Sequence, residues 1–257
     1  MHLIIDTHVH LYPCYDLALA LRCLDSNLSQ LAPDAVKIAL LAERHDCHVF
    51  TKLASGSIDL TGAGIQVSTS GEEGALVLNV DDGNALYVLS GRQIVTEERI
   101  EILGVAMAGH IEDGLAAADT ISAVLADNGV PILSWAPGKW FFGRGKVVDS
   151  VLAKFGPGKI IVGDTTLRPT VWPEPRLMQK AARDGIGIVA GSDPLPFSGE
   201  EVRAGTYASI IDCDFSGETP LADVRNALLG AGREERVGHR SSALTMLSRL
   251  KQNATAK

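Results

Sequence analysis

The chain has 257 residues, of which 46% are hydrophobic, 21% charged and 5% aromatic, a balance that supplies a large core and excludes disorder. Its formal charge of -8 sets a mean field that repels phosphate polyanions and anionic lipid, so neither nucleic acid nor a membrane surface is expected as a partner. The four cysteines, Cys14, Cys23, Cys47 and Cys213, form no C-x-x-C pair, which argues against a zinc knuckle or a disulfide scaffold and for free thiols in a reducing cytoplasm.

His2 to Thr7 is an apolar run ending in acid and imidazole groups, the pattern of a buried parallel strand that delivers polar residues at its C-terminal end. The run lacks a basic leader and is interrupted by Asp6, His8 and His10, so it does not read as a signal peptide. No stretch approaches the ~20 apolar residues of a membrane span. Leu and Ala recur at helical spacing over 16–28, a second strand is predicted over 35–42, and "ERHDCHVFTKLA" leads into a helix. Between Gly64 and Val95 the period changes to short strands separated by Gly-Glu-Glu-Gly, Asp-Asp-Gly-Asn and Ser-Gly, which predicts hairpins and marks 64–92 as a β-rich insertion.

The βα rhythm then returns. Strands are predicted over 99–107, 130–135, 159–164 and 186–193, with helices over 114–129, 145–156 and 174–185 between them. After Asp193 the chain reads as mostly helical, with helices over 221–232 and 240–251 and a polar tail, 252–257, expected to fray. About seven core strands in repeated right-handed βα units make a closed barrel or an open doubly wound sheet. No linker divides the chain, so residues 1–257 are expected to form a single domain.

Residues two apart on a strand share a face, so His8 and His10 can converge on one ion, with Asp6 as ligand or orienter. Later strands also end in polar groups, and in parallel α/β folds those ends form one rim. Asp193, after "GIVAGS", is the best carboxylate ligand; Asp164, after "IIVG", is a weaker one; His45 completes the site from the second strand. Glu101, an acid among apolar residues, needs a metal or a cation if it points inward, whereas His48 and His110 have ordinary packing or surface explanations. Lys139, Arg144, Lys146 and Arg168 follow strand ends and would suit phosphate or carboxylate, with Trp135, Trp140 and Phe141 as pocket walls.

Together these segments resemble the amidohydrolase and the PHP (polymerase-and-histidinol-phosphatase) metal-dependent hydrolases, with a motif order closer to PHP. "DTHVHL" matches an opening H-x-H, "AERHD" is similar to a T-D-H-D segment, and "GSDPL" is similar to a closing G-S-D-x-H. On this matching His8, His10, His45 and Asp193 fall on metal positions. Gln93 stands in place of a bridging glutamate, Glu101 lies near a histidine ligand position, and Ala136 and Leu195 replace two histidines. The resemblance implies a distorted TIM-like (β/α)7 barrel of parallel strands holding one or two divalent transition metals, zinc, manganese or iron. It also implies metal-activated water acting on a small phosphorylated substrate, with Asp193 or Asp164 taking the proton and Lys139, Arg144 and Arg168 binding phosphate. A C-N or lactone hydrolase and a catalytically reduced, ligand-binding barrel are the alternatives. All three readings require His8 and His10 to meet Asp193 across 183 to 185 residues of chain.

Overall fold

A computed structural model of the chain describes residues 1–81, 83–230 and 235–255. In order, β1 (His2–Val9) is followed by α1 (Leu17–Leu31), β2 (Val36–Leu41) and α2 (Val49–Ala54). Four short strands come next, β3 (Ile65–Thr69), β4 (Ala75–Val80), β5 (Leu86–Leu89) and β6 (Gly91–Val95), then β7 (Glu101–Val105). The chain continues through α3 (Ala117–Ala126), β8 (Val130–Ser134), α4 (Gly143–Phe155), β9 (Ile161–Thr165), α5 (Arg176–Arg183) and β10 (Ile188–Gly191). It ends in β11 (Tyr207–Asp212), α6 (Pro220–Gly230), β12 (Glu235–Gly238) and α7 (Ala243–Thr255). Helix α7 runs through most of the stretch expected to fray. Asp82 of the expected Asp-Asp-Gly-Asn turn and Ala231 and Gly232 of the expected helix over 221–232 lie outside the described residues.

The barrel expected from the βα rhythm is not what these elements make. The strands form two mixed sheets, a seven-stranded one in the order β12-β11-β1-β2-β5-β4-β3 and a five-stranded one in the order β10-β9-β8-β7-β6, and neither closes. Parallel pairing is confined to β1 with β2, β2 with β5, β8 with β9 and β9 with β10. Strand β7 runs antiparallel to both its neighbours, to β6 through a hairpin and to β8 although α3 lies between them in the chain. Strands β11 and β12, in a region read as helical, extend the larger sheet by antiparallel pairing beyond β1. Hydrophobic period reports which face of a strand is buried but not the direction of its partner, so the mixed topology is invisible to it.

Three apolar layers hold this arrangement. Leu3, Ile5, Ile38 and Leu40 of the large sheet meet Leu103, Val105, Ile132 and Val189 of the small one, with α6 contributing Leu221 and Val224. Leu21, Leu24 and Leu28 of α1 cover the other face of the large sheet against Ile4, Ala39 and Leu41, and Asp16 caps that helix by accepting from the Leu19 amide at 3.0 Å. Helices α3, α4 and α5 cover the outer face of the small sheet.

The local detail that matters for function is a bulge in β1. Its pairing with β2 slips between Asp6 and Val9, leaving one extra residue on β1. Before the slip Ile4 packs beneath α1 and Ile5 between the sheets; after it Val9 packs beneath α1, so His8 and His10 take the opposite side. Beside them β10 approaches so closely that a Cβ on Gly191 would run into the backbone and Cβ of His8. Gly191→Ala should therefore cost about 1–3 kcal/mol through overpacking, seen as a lower urea midpoint with unchanged slope. A midpoint equal to that of the parent would contradict this tight approach.

Candidate metal centre

The bulged end of β1 brings the two imidazoles together. His8 Nε2 and His10 Nε2 are 3.0 Å apart, and Asp193 Oδ1, just past β10, lies 3.6 Å from the first and 3.7 Å from the second. All three side chains are buried, and His8, His10 and Asp193 are the one group of this kind among the described residues. Ligand atoms bonded at ~2 Å to a single ion sit about 3–4 Å from one another, so this spacing and donor set fit a divalent transition metal with three protein ligands.

Each donor is oriented from behind. His8 Nδ1 lies 3.2 Å from Ser134 Oγ at the end of β8, and His10 stacks on Tyr12 with centroids 5.0 Å apart. Tyr12 meets Tyr15 edge-on, and the Tyr15 hydroxyl donates to the Leu195 carbonyl at 2.6 Å. Asp193 is pinned at both backbone ends: its amide donates to the His8 carbonyl at 2.9 Å, and its carbonyl accepts from Arg249 Nη2 at 3.0 Å. Those bonds hold it at φ +49°, a left-handed conformation that a non-glycine residue adopts only under constraint. Arg249 is itself buried, clamped by Glu200 and by the hydroxyls of Thr166 and Ser241.

Burial dominates the electrostatics. It raises the Asp193 carboxyl above its ordinary value, and it holds His10, already crowded by His8, well below the ordinary imidazole value. It also raises the Tyr12 phenol, with Asp193 adding to the effect. A neutral imidazole such as His10 is the form in which histidine binds a metal.

His10 and Asp193 form part of the wall of a cavity of about 510 Å³ that also takes in Tyr12, Arg44, Gln93, Glu101 and Lys139. Lys139 Nζ pairs with Glu101 Oε1 at 2.6 Å, and Arg44 lies over the Tyr12 ring. His45 is on the cavity's outer edge, largely exposed, with Nδ1 3.9 Å from Asp113 Oδ2. The opening segment, Asp193, His45, Glu101 and Lys139 thus share one cavity.

The remaining candidates lie elsewhere. Asp6 is turned away by the bulge and accepts from the amides of His8, Ser192 and Gly205. Asp164 is fully buried in a separate cluster, bonded to Arg168 at 2.7 and 2.5 Å, to the Tyr207 hydroxyl at 2.9 Å and to Arg236 at 3.1 Å. Arg168 is therefore occupied by the same carboxylate, and Arg144 donates to the Gly138 carbonyl at 2.6 Å. Lys146 is exposed on α4. His48 precedes α2, and His110 bonds Arg92 and Glu112. Trp135 and Trp140 are buried, while Phe141 stacks on Trp172.

Ser134, Tyr12, Arg44 and Arg249 escaped the reading of the sequence as site residues. Tyr12 continues the period-two spacing of His8 and His10, and Arg249 lies three residues after Met246 on the buried stripe of α7, so both left a trace. Ser134 leaves none beyond its place at a strand end.

No family model matches the chain, and no curated protein does. Among solved structures, PsfC from Pseudomonas syringae PB-5123 superimposes with a TM-score of 0.60 at 13% identity over 100% of this chain and 99% of that one. The lesion-specific endonuclease PfuEndoQ from Pyrococcus furiosus gives 0.52 at 14% identity, and endonuclease Q in complex with a 27-mer duplex bearing an abasic lesion gives 0.51 at 11%. This chain spans 92% and 96% of its own length in those two matches, but 58% and 67% of the endonuclease chains. The likeness supports a PHP-like fold. It also overturns the exclusion of nucleic acid drawn from net charge, since endonucleases share this fold and one is seen holding duplex. Net charge sets a long-range mean field, whereas grip is local, so the acidic total does not by itself exclude nucleic acid. Among the described residues no helix is long and apolar enough to cross a membrane.

Because Ser134 touches the centre only through His8, Ser134→Ala should weaken binding of a divalent transition metal about 10–100-fold while leaving the fold intact. Titration with cobalt(II), followed by its visible spectrum, measures this; an unchanged affinity would show that the hydroxyl does not orient His8.

Proposed function

We propose that the chain is a metal-dependent hydrolase of the phosphoesterase kind, with His8, His10 and Asp193 as the protein ligands of its ion. The observation that carries this reading is the convergence of two Nε2 atoms and one carboxylate oxygen within 3.7 Å beside a cavity large enough for a small ligand. Three protein ligands leave coordination positions free for water and substrate, the arrangement of a catalytic rather than a structural site. A divalent ion bound there would supply an acidified water and polarisation of a phosphoryl oxygen.

The chain's own groups do the rest. Lys139 and Arg44 are placed to hold phosphoryl oxygens, with Lys139 exchanging its contact to Glu101 for one to substrate. Asp193 turns Oδ1 to the imidazoles, and its carboxylate is the group assigned to accept the proton of the attacking water. Asp164, with both oxygens occupied, is assigned a structural role, and Arg168 and Arg144 are assigned no contact with substrate. His45 and Glu101 are the groups assigned to a second ion, should metal analysis give more than one per chain.

The fold's occurrence in endonucleases places nucleic-acid phosphodiesters beside small phosphate esters as substrates to test. Purified protein should carry zinc, manganese or iron in roughly stoichiometric amount, and His8→Ala with His10→Ala should abolish both metal and turnover. Lys139→Gln should raise KM about 10-fold or more through loss of a charge-assisted hydrogen bond while metal content stays constant. The panel should include a phosphomonoester, a phosphodiester, an abasic oligonucleotide duplex, a cyclic amide and a lactone. Turnover of only the amide or lactone would reverse the assignment, and metal-free protein that ignores both histidine changes would remove it.

A further inference from the structure

The strand that lines the metal cavity with Gln93 sends the preceding side chain, Arg92, to its other side. Arg92 is 7% exposed, and no carboxylate among the described residues bonds it. Nη1 bonds His110 Nδ1 at 2.9 Å, while His110 Nε2 bonds Glu112 Oε1 at 2.9 Å. His110 must then accept through Nδ1 and donate through Nε2, which makes it a neutral ring that brings Arg92 no counter-charge. Arg92 Nε and Nη2, the edge that forks around a carboxylate or a phosphate, have no partner among the described residues. A buried cation left in this state is costly unless something pairs with it.

There is room beside it for a partner. Arg92 and His110 form part of the wall of a cavity of about 460 Å³ closed by α2, the turn between β3 and β4, and the segment after β7. Two carboxylates on that wall bond backbone amides, through one oxygen each, and not the guanidinium. Glu43 accepts from the amides of Val49 and Phe50 at 2.6 and 3.0 Å, and Glu72 accepts from the Leu221 amide at 2.8 Å. Glu73 lies exposed. The cavity therefore offers a guanidinium fork that none of these acids bonds among the described residues.

We propose that this cavity is a second ligand site, distinct from the metal centre, in which Arg92 pairs with the carboxylate or phosphate group of a small molecule. The site sits on the seam of the fold, since the isolated bridge between Glu43 and Arg92 joins the edge of β6 to the end of β2. A ligand there grips both sheets at once, so its binding is read in the stability of the whole chain.

The test uses chelator-treated full-length protein, so that the metal centre takes no part, with inorganic phosphate and acetate as separate probes and chloride at matched ionic strength as control. Thermal unfolding should rise saturably, by several degrees, with at least one probe and not with chloride. The rise should persist in His8→Ala/His10→Ala, shrink in Arg92→Lys, which keeps the charge without the fork, and vanish in Arg92→Gln. Without ligand, Arg92→Gln should unfold at the parent temperature or above it, because it removes a buried charge that no carboxylate bonds. An equal rise in Arg92→Gln, no rise with either probe, or an Arg92→Gln variant that is markedly destabilised or unfolded without ligand would overturn the proposal; the last would make Arg92 a structural group.

Discussion

Two strand ends meet at His8 and Asp193 because Gly191 has no side chain to keep them apart. No ladder of backbone hydrogen bonds joins β1 to β10; the two sheets are tied there by Asp6, which accepts from Ser192 and Gly205 at 2.9 Å each, and by single bonds from Thr7 to the Ala190 carbonyl and from Asp193 to the His8 carbonyl. Burial raises the Asp6 carboxyl, while the amides that point at it act in the opposite sense. Such a strut is a stiff one, since losing any of its bonds leaves a buried polar atom unmatched. The distance between the imidazoles and the carboxylate is thus set by Asp6 and Gly191, neither of which faces the cavity.

What the sequence discloses about the centre follows from the period of a strand. The spacing of His8 and His10 places them on one face, and the run "GIVAGSD" delivers Asp193 at a strand end. The same spacing groups Asp6 with them, and there it fails, because the bulge inserts a residue between Asp6 and His8 and reverses the faces. A bulge is a property of the pairing between two strands, and the sequence of one strand does not carry it. Asp164 and Asp193 look alike as acids at the ends of parallel strands, yet Asp164 faces Arg168, Tyr207 and Arg236. Two of those three partners come from β11 and β12, strands that the period of the chain did not reveal.

The topology was less legible than the site for a related reason. Apolar runs at 2–9, 36–41, 130–134, 161–165 and 188–191 announce buried strands whichever way their neighbours run. Repeated βα units make parallel pairing the economical inference, and it holds for β1, β2 and β5 and for β8, β9 and β10. It breaks where hairpins join β3 to β4, β4 to β5 and β6 to β7, where β8 pairs antiparallel with β7, and where β11 returns to pair antiparallel with β1. Those antiparallel strands leave the two sheets open in place of one closed wall.

Charge balance links the two sides of β6. On the inner side a buried carboxylate faces imidazoles, one of them held neutral by burial and by its neighbour, and Arg249 reaches Asp193 only through its backbone carbonyl. No lysine or arginine among the described residues bonds that carboxylate, although Lys139 and Arg44 line the same cavity. On the outer side a buried guanidinium meets a neutral histidine, and the nearby carboxylates are spent on the amides that begin α2 and α6. The guanidinium fork there is bonded by no carboxylate among the described residues. Ordinary cores match buried charge internally, as Asp164 with Arg168 and Glu200 with Arg249 do here. Two buried groups of opposite sign, each beside a cavity and separated by one strand, thus stand without a bonded ionic partner from their own chain, which is the common ground of the two proposals: a cation for the first and an oxyanion for the second.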